Sequence, residues 1–155
     1  MTGVAPNAVS KVPAPGVAFS EALKRMGVSV KHGVNLKGTS EAMLPGIRRA
    51  AGIISDIGVP LVITSAQRPG RGSFHNVGNA VDMRLKSMDG KKLQQLRDAL
   101  GPRGRPIKIK GEDGTLWRHG DFEYILHGEG DNVHLHIERD TFETKAQLRR
   151  WSAGR

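Results

Sequence analysis

"VHLHIE", residues 133–138, alternates an apolar residue with a polar one at every step. In an extended strand successive side chains leave opposite faces. Val133, Leu135 and Ile137 therefore enter a core, while His134, His136 and Glu138 share the other face. The plainer reading of that second face is a solvated polar surface. Whether it carries chemistry depends on what neighbouring strands bring beside it.

Working outward, "FEYILH" (122–127), "IKIK" (107–110), "NAVDMRL" (79–85) and "PLVITSA" (60–66) read as further strands, from their β-branched and aromatic content or their alternation. Helical spacing lies mostly earlier. "FSEALKRMG" (19–27) predicts a short helix with Ser20 as its cap and Gly27 as its stop. From Ser40 to Gly58, Leu44, Ile47, Ala51 and Ile54 oppose Arg48, Arg49, Ser55 and Asp56, with Pro45 confined to the first turn. "SMDGKKLQQLRDALG" (87–101) places Leu93, Leu96 and Leu100 on one side, and "FETKAQLRRW" (142–151) closes the chain as a helix. Residues 66–74 and 111–121 read as loops. Helices grouped early and strands grouped late predict an α+β domain with a mainly antiparallel central sheet flanked by helices. Residues 1–18 predict a flexible arm, and 19–155 a single domain, as suits a chain of 155 residues.

The chain has no cysteine, so any metal site must use histidine and carboxylate. A formal charge of +9 favours a polyanionic partner, whether cell-wall polymer, anionic membrane surface or nucleic acid. No secretory signal and no membrane-spanning stretch is recognised, so the expectation is a soluble chain made in the cytoplasm.

A second stretch, "SFHNVGNAVD" (73–82), supplies His75 and Asp82. Zinc bound without thiolates commonly takes three side-chain ligands from histidine and carboxylate and leaves a fourth position to water. His75, Asp82 and one of His134 and His136 make that set, provided the strands that carry them are neighbours.

Taken in order, "ITSAQRPG", "SFHNVGNAVD" and "HLHIE" resemble the LAS-type zinc peptidases. That family groups D-alanyl-D-alanine carboxypeptidases, phage L-alanyl-D-glutamate endopeptidases, lysostaphin and the hedgehog signalling domain. Ser73, His75, Gly78, Ala80 and Asp82 fall on its pattern Ser-x-His-x-x-Gly-x-Ala-x-Asp, and the resemblance covers about residues 40–138. It implies a hedgehog/D-Ala-D-Ala peptidase-like fold, one Zn2+ ion, and hydrolysis of a peptide bond in peptidoglycan stem peptides. The setting it implies is a phage endolysin or a virion-associated murein peptidase, acting on the wall from the host periplasm or the virion.

Within the family two arrangements exist. In one, His136 completes the ligand set with His75 and Asp82, and His134 carries the proton. In the other, Asp131 is the base and His134 the ligand; "HLHIE" is closer to the first. The resemblance further implies that Arg68 holds a substrate carboxylate or carbonyl, with Arg71 able to substitute, and that Ser73 contributes to substrate binding. Two other readings stay open: a zinc-containing wall-binding module without turnover, and a basic nucleic-acid-binding protein. Against the latter, only seven aromatic Phe, Trp and Tyr residues are available for base stacking (4, 2 and 1). His32, His119 and His127 read as structural or surface residues.

Overall fold

The computed structural model describes residues 17–66, 74–75, 78–141, 144–146 and 149. Its elements are α1 (Val17–Arg25), β1 (Ser29–Val30), a 3₁₀ turn (Glu41–Met43), α2 (Leu44–Ile57), β2 (Leu61–Ser65), β3 (Ala80–Leu85), α3 (Gly90–Leu100), β4 (Arg105–Ile109), β5 (Glu112–His119), β6 (Phe122–His127), a second 3₁₀ turn (Gly130–Asn132) and β7 (Val133–Arg139). The strands form one seven-stranded sheet in the order β1-β2-β3-β7-β6-β5-β4. The fold is α+β, and its sheet is mixed.

That is a correction to the antiparallel sheet expected. β1 runs parallel to β2, whereas the other neighbours pair antiparallel. A parallel pair needs a long crossover, and α2 lies on it. At two residues β1 is too short to show a period, which is why it is invisible in the sequence.

The alternation in β7 sorts as its letters demand. Val133, Leu135 and Ile137 are fully buried and join one core with Met83 of β3, Tyr124 and Leu126 of β6, Phe19 and Leu23 of α1, Ile47 and Ile54 of α2, and Leu96 of α3. Removing a side chain such as Leu135 from a core like this costs about 2–5 kcal/mol. α1, α2 and α3 thus cover one face of the sheet. The opposite face carries Asp82 and Arg84 of β3, His134, His136 and Glu138 of β7, and Ile125 and His127 of β6.

α2 begins after a turn capped by the Ser40 hydroxyl, which accepts from the Ala42 N–H, and Pro45 stands in its first turn. It ends at Gly58 in the left-handed conformation, whose N–H donates to the carbonyls of Ile54 and Ser55. Gly46 lets the helix seat against the Phe122 ring, where any Cβ would collide, and its carbonyl accepts the Tyr124 hydroxyl at 3.1 Å. α3 starts where the Asp89 carboxylate accepts from the Lys92 N–H at 2.8 Å.

α1 begins at Val17, so Ser20 lies inside the helix instead of capping it. Residues 1–16 of the expected arm lie outside the described residues. Of the closing helix, 144–146 and 149 are helical and the remainder lies outside the description. The segment 111–121, expected as a loop, is mostly β5. It was illegible because "EDGTLWRH" contains one buried residue, Trp117, and no alternation. Its pairing with β4 is set by a two-residue turn, Lys110–Gly111, with both residues at positive φ. Pro106 stands on β4, the edge strand, where a missing N–H is tolerated.

Candidate metal centre

Asp82 of β3 lies directly opposite His136 of β7, and Ser65 at the end of β2 lies opposite Asp82 on its other side. His75 arrives from the segment between β2 and β3. It is buried, and its Nδ1–H donates to the carbonyl of Ala66 at 2.7 Å, the residue that follows β2. That bond turns Nε2 toward Asp82, whose Oδ2 is 3.3 Å away. On the far side, Asp82 Oδ1 lies 2.7 Å from His136 Nδ1, while His136 Nε2 lies 2.8 Å from Glu138 Oε1. One donor atom each from His75, Asp82 and His136 falls within 4.8 Å of the others.

Both imidazoles have one ring nitrogen aimed into the cluster and the other engaged by an oxygen outside it. A histidine that binds a metal needs this arrangement, because the outer acceptor fixes the tautomer and the ring angle. Burial by itself would lower the pKa of His136, but its hydrogen bonds to Asp82 and Glu138 outweigh burial and raise it to about 9. Burial would likewise raise Asp82. The hydrogen bonds and charges of His136 and His75 instead hold its carboxyl far below the usual range. In the metal-free protein, a proton on His136 supplies the positive charge that two carboxylates demand. A divalent cation among the same atoms would supply it instead, so the donor set fits a metal ion.

The turn that delivers His75 depends on Gly78. Its φ is +76°, and a Cβ there would strike the carbonyl of Gly38. Its own carbonyl accepts the Ser40 N–H at 2.8 Å, tying the site segment to the start of the turn before α2. The glycine therefore serves a close backbone–backbone approach to the segment before α2.

His134 shares the open face but not the cluster. Its neighbour across β6 is His127, with the two rings stacked at 5.5 Å, and its neighbour across β3 is Arg84. Burial and the charge of His134 push the His127 pKa down, against an upward pull from Glu112 and Asp82. Asp131 stands exposed in the second 3₁₀ turn, where its backbone carbonyl accepts from Arg84 Nε at 3.3 Å. Among the described residues, neither His134 nor Asp131 belongs to a three-donor group. Arg68, Arg71 and Ser73 lie outside the described residues.

A cavity of about 350 Å³ opens over the cluster, walled by Ile109, Lys110 and Glu112 of the β4–β5 hairpin and by Ile125 and His127 of β6. A second, of about 750 Å³, contains His134 and Arg97 and shares Glu112 and His127 with the first. Two contributors escaped the sequence reading. Glu138 could have been found from its i+2 spacing to His136, which puts both on one face. His127 could not, since its place beside His134 follows from β6–β7 register. Among the described residues, no helix is long and apolar enough to cross a membrane. Comparison with protein-family models, with curated proteins and with solved structures finds no match to this chain.

Proposed function

We propose that the chain is a zinc-dependent peptidase of the hedgehog/D-Ala-D-Ala peptidase-like kind, hydrolysing a peptide bond in the stem peptides of peptidoglycan. The observation that carries this reading is the convergence of His75 Nε2, the Asp82 carboxylate and His136 Nδ1 beneath an open cavity, each imidazole braced from behind. His75, Asp82 and His136 would hold a zinc ion, and the chemistry it would supply when bound is Lewis-acid polarisation of a scissile carbonyl and acidification of water.

The protein's own groups do the rest. Ala66 and Glu138 hold the two imidazoles in their ligating orientation, and Asp82 supplies the anionic ligand. His134 lies on the same strand face as His136, roughly 7 Å along it at two strand rises. In this reading it takes the proton from the attacking water and returns it to the departing amine. The resemblance assigns Arg68 to hold a substrate carboxylate or carbonyl, with Arg71 able to substitute and Ser73 contributing to substrate binding. The charge of +9 draws the protein to acidic wall polymers, as a phage lysis enzyme or a virion-borne murein peptidase would require.

The test uses the full chain with purified peptidoglycan. Elemental analysis is expected to find one zinc per chain, and fragment release is expected to stop with a chelator and return with zinc. Stoichiometric zinc without fragment release would leave a wall-binding module. Salt-sensitive DNA binding that survives chelation, with no zinc uptake, would favour the nucleic-acid reading.

A further inference from the structure

We propose that Glu138 is the positioning residue of the metal centre, setting through His136 both the affinity for the ion and the direction from which that histidine binds it. The inference rests on the metal-site reading above and deepens it.

His136 has two ring nitrogens and two carboxylate neighbours, so the ring alone does not choose which nitrogen meets an ion. The surroundings choose. His75 Nε2 and the Asp82 carboxylate lie on the Nδ1 side, where with His136 they form the one of two three-donor groups among the described residues that contains imidazoles. On the Nε2 side stands Glu138, and Glu138 is not alone there.

It faces Glu123 across the β6–β7 ladder, and its carboxylate lies within 4.8 Å of those of Glu123 and Asp140. Arg118 Nη1 spans Glu123 at 3.0 Å and Asp140 at 3.2 Å, and Lys145 approaches Asp140 at 3.4 Å. The cations of this group are therefore engaged with the other two acids. Glu138 is pushed by like charge from behind and bonded to the imidazole in front. A carboxylate acceptor makes the ligating nitrogen more basic as well as fixing the ring.

The experiment measures zinc affinity by competition with a chromophoric chelator, using the full chain, Glu138→Gln and Glu138→Ala. Circular dichroism checks the fold of each. Glu138→Ala is expected to weaken zinc binding about 10–100-fold. Glu138→Gln keeps a carbonyl acceptor without the charge, so it is expected to recover part of that loss. Wild-type affinity in folded Glu138→Ala would overturn the proposal while leaving the zinc site standing. If Glu138→Ala does not fold, Glu138→Gln decides: a several-fold loss supports the proposal and an unchanged affinity overturns it. A wild-type chain that takes up no zinc overturns both this proposal and the metal-site reading beneath it.

Discussion

His134 and His136 leave the same face of the same strand two residues apart, yet their surroundings differ in kind. His136 lies between Asp82 on β3 and Ile125 on β6, with Glu138 next along its own strand. His134 lies between Arg84 and His127. The first is a pocket of negative charge closed on one side by an apolar residue. The second is flanked by a guanidinium and another imidazole. Two carboxylates bonded to one imidazole favour a cation at the first, whereas no carboxylate is bonded to His134, which suits the proton-carrying role proposed for it. The difference teaches that register, and not residue type, gives two identical side chains their different surroundings.

The largest expected effect attacks the first environment. His136→Ala or Asp82→Ala should abolish zinc uptake and peptidase activity together, as read by elemental analysis and by fragment release. Stoichiometric zinc in either variant would break the ligand assignment. Next comes the second environment. His134→Ala should keep its zinc and lose about 10²–10⁴-fold in turnover, the usual worth of a general acid–base group. Loss of zinc in that variant, with zinc retained in His136→Ala, would exchange the two roles.

The metal-free protein sharpens the contrast through pH. His136 binds its proton more tightly folded, at about 9, than at its ordinary 6.5. Its contribution to stability is therefore complete below about pH 6.5 and fades as pH rises through 9. Asp82 is shifted the other way, so its contribution is present above its ordinary value of 3.8 and is lost on acidification toward its lowered folded value. The two shifts share the His136–Asp82 pair, to which Glu138 adds on the histidine side and His75 on the aspartate side. Urea unfolding of chelated protein should show wild type losing more stability between pH 6 and pH 9.5 than Asp82→Asn does. Equal losses would deny that the ion pair matters. The smallest effect belongs to Asp131→Ala, expected to stay within about twofold of wild type in turnover, as suits an exposed turn residue. A collapse of activity there would move the base from His134 to Asp131.

Much of this was legible in one dimension. The alternation of "VHLHIE" placed three residues in the core and three outside it, and "SFHNVGNAVD" supplied His75 and Asp82 as donors before any neighbour was known. α2, β2, β3, α3 and β6 were readable within a few residues, because their apolar periods or glycine stops are local properties. β5 was not, since a strand held by hairpin geometry with one buried side chain has no period to read. The place of His127 beside His134 was hidden too, since it depends on what stands across a strand, whereas Glu138 shares a strand face with His136 at a spacing the sequence shows.

The sequence by itself determined which residue types are available and which strand face each occupies, because side-chain alternation follows from backbone geometry alone. Only the tertiary structure decided that Asp82 meets His136 while Arg84 meets His134, that Ala66 turns His75, and that Glu138 backs the third donor. A shift of one residue in the β3–β7 register would send these side chains to the core face. That register is held by apolar packing on the far side of the sheet, through Met83, Leu135 and Ile137, which take no part in the chemistry.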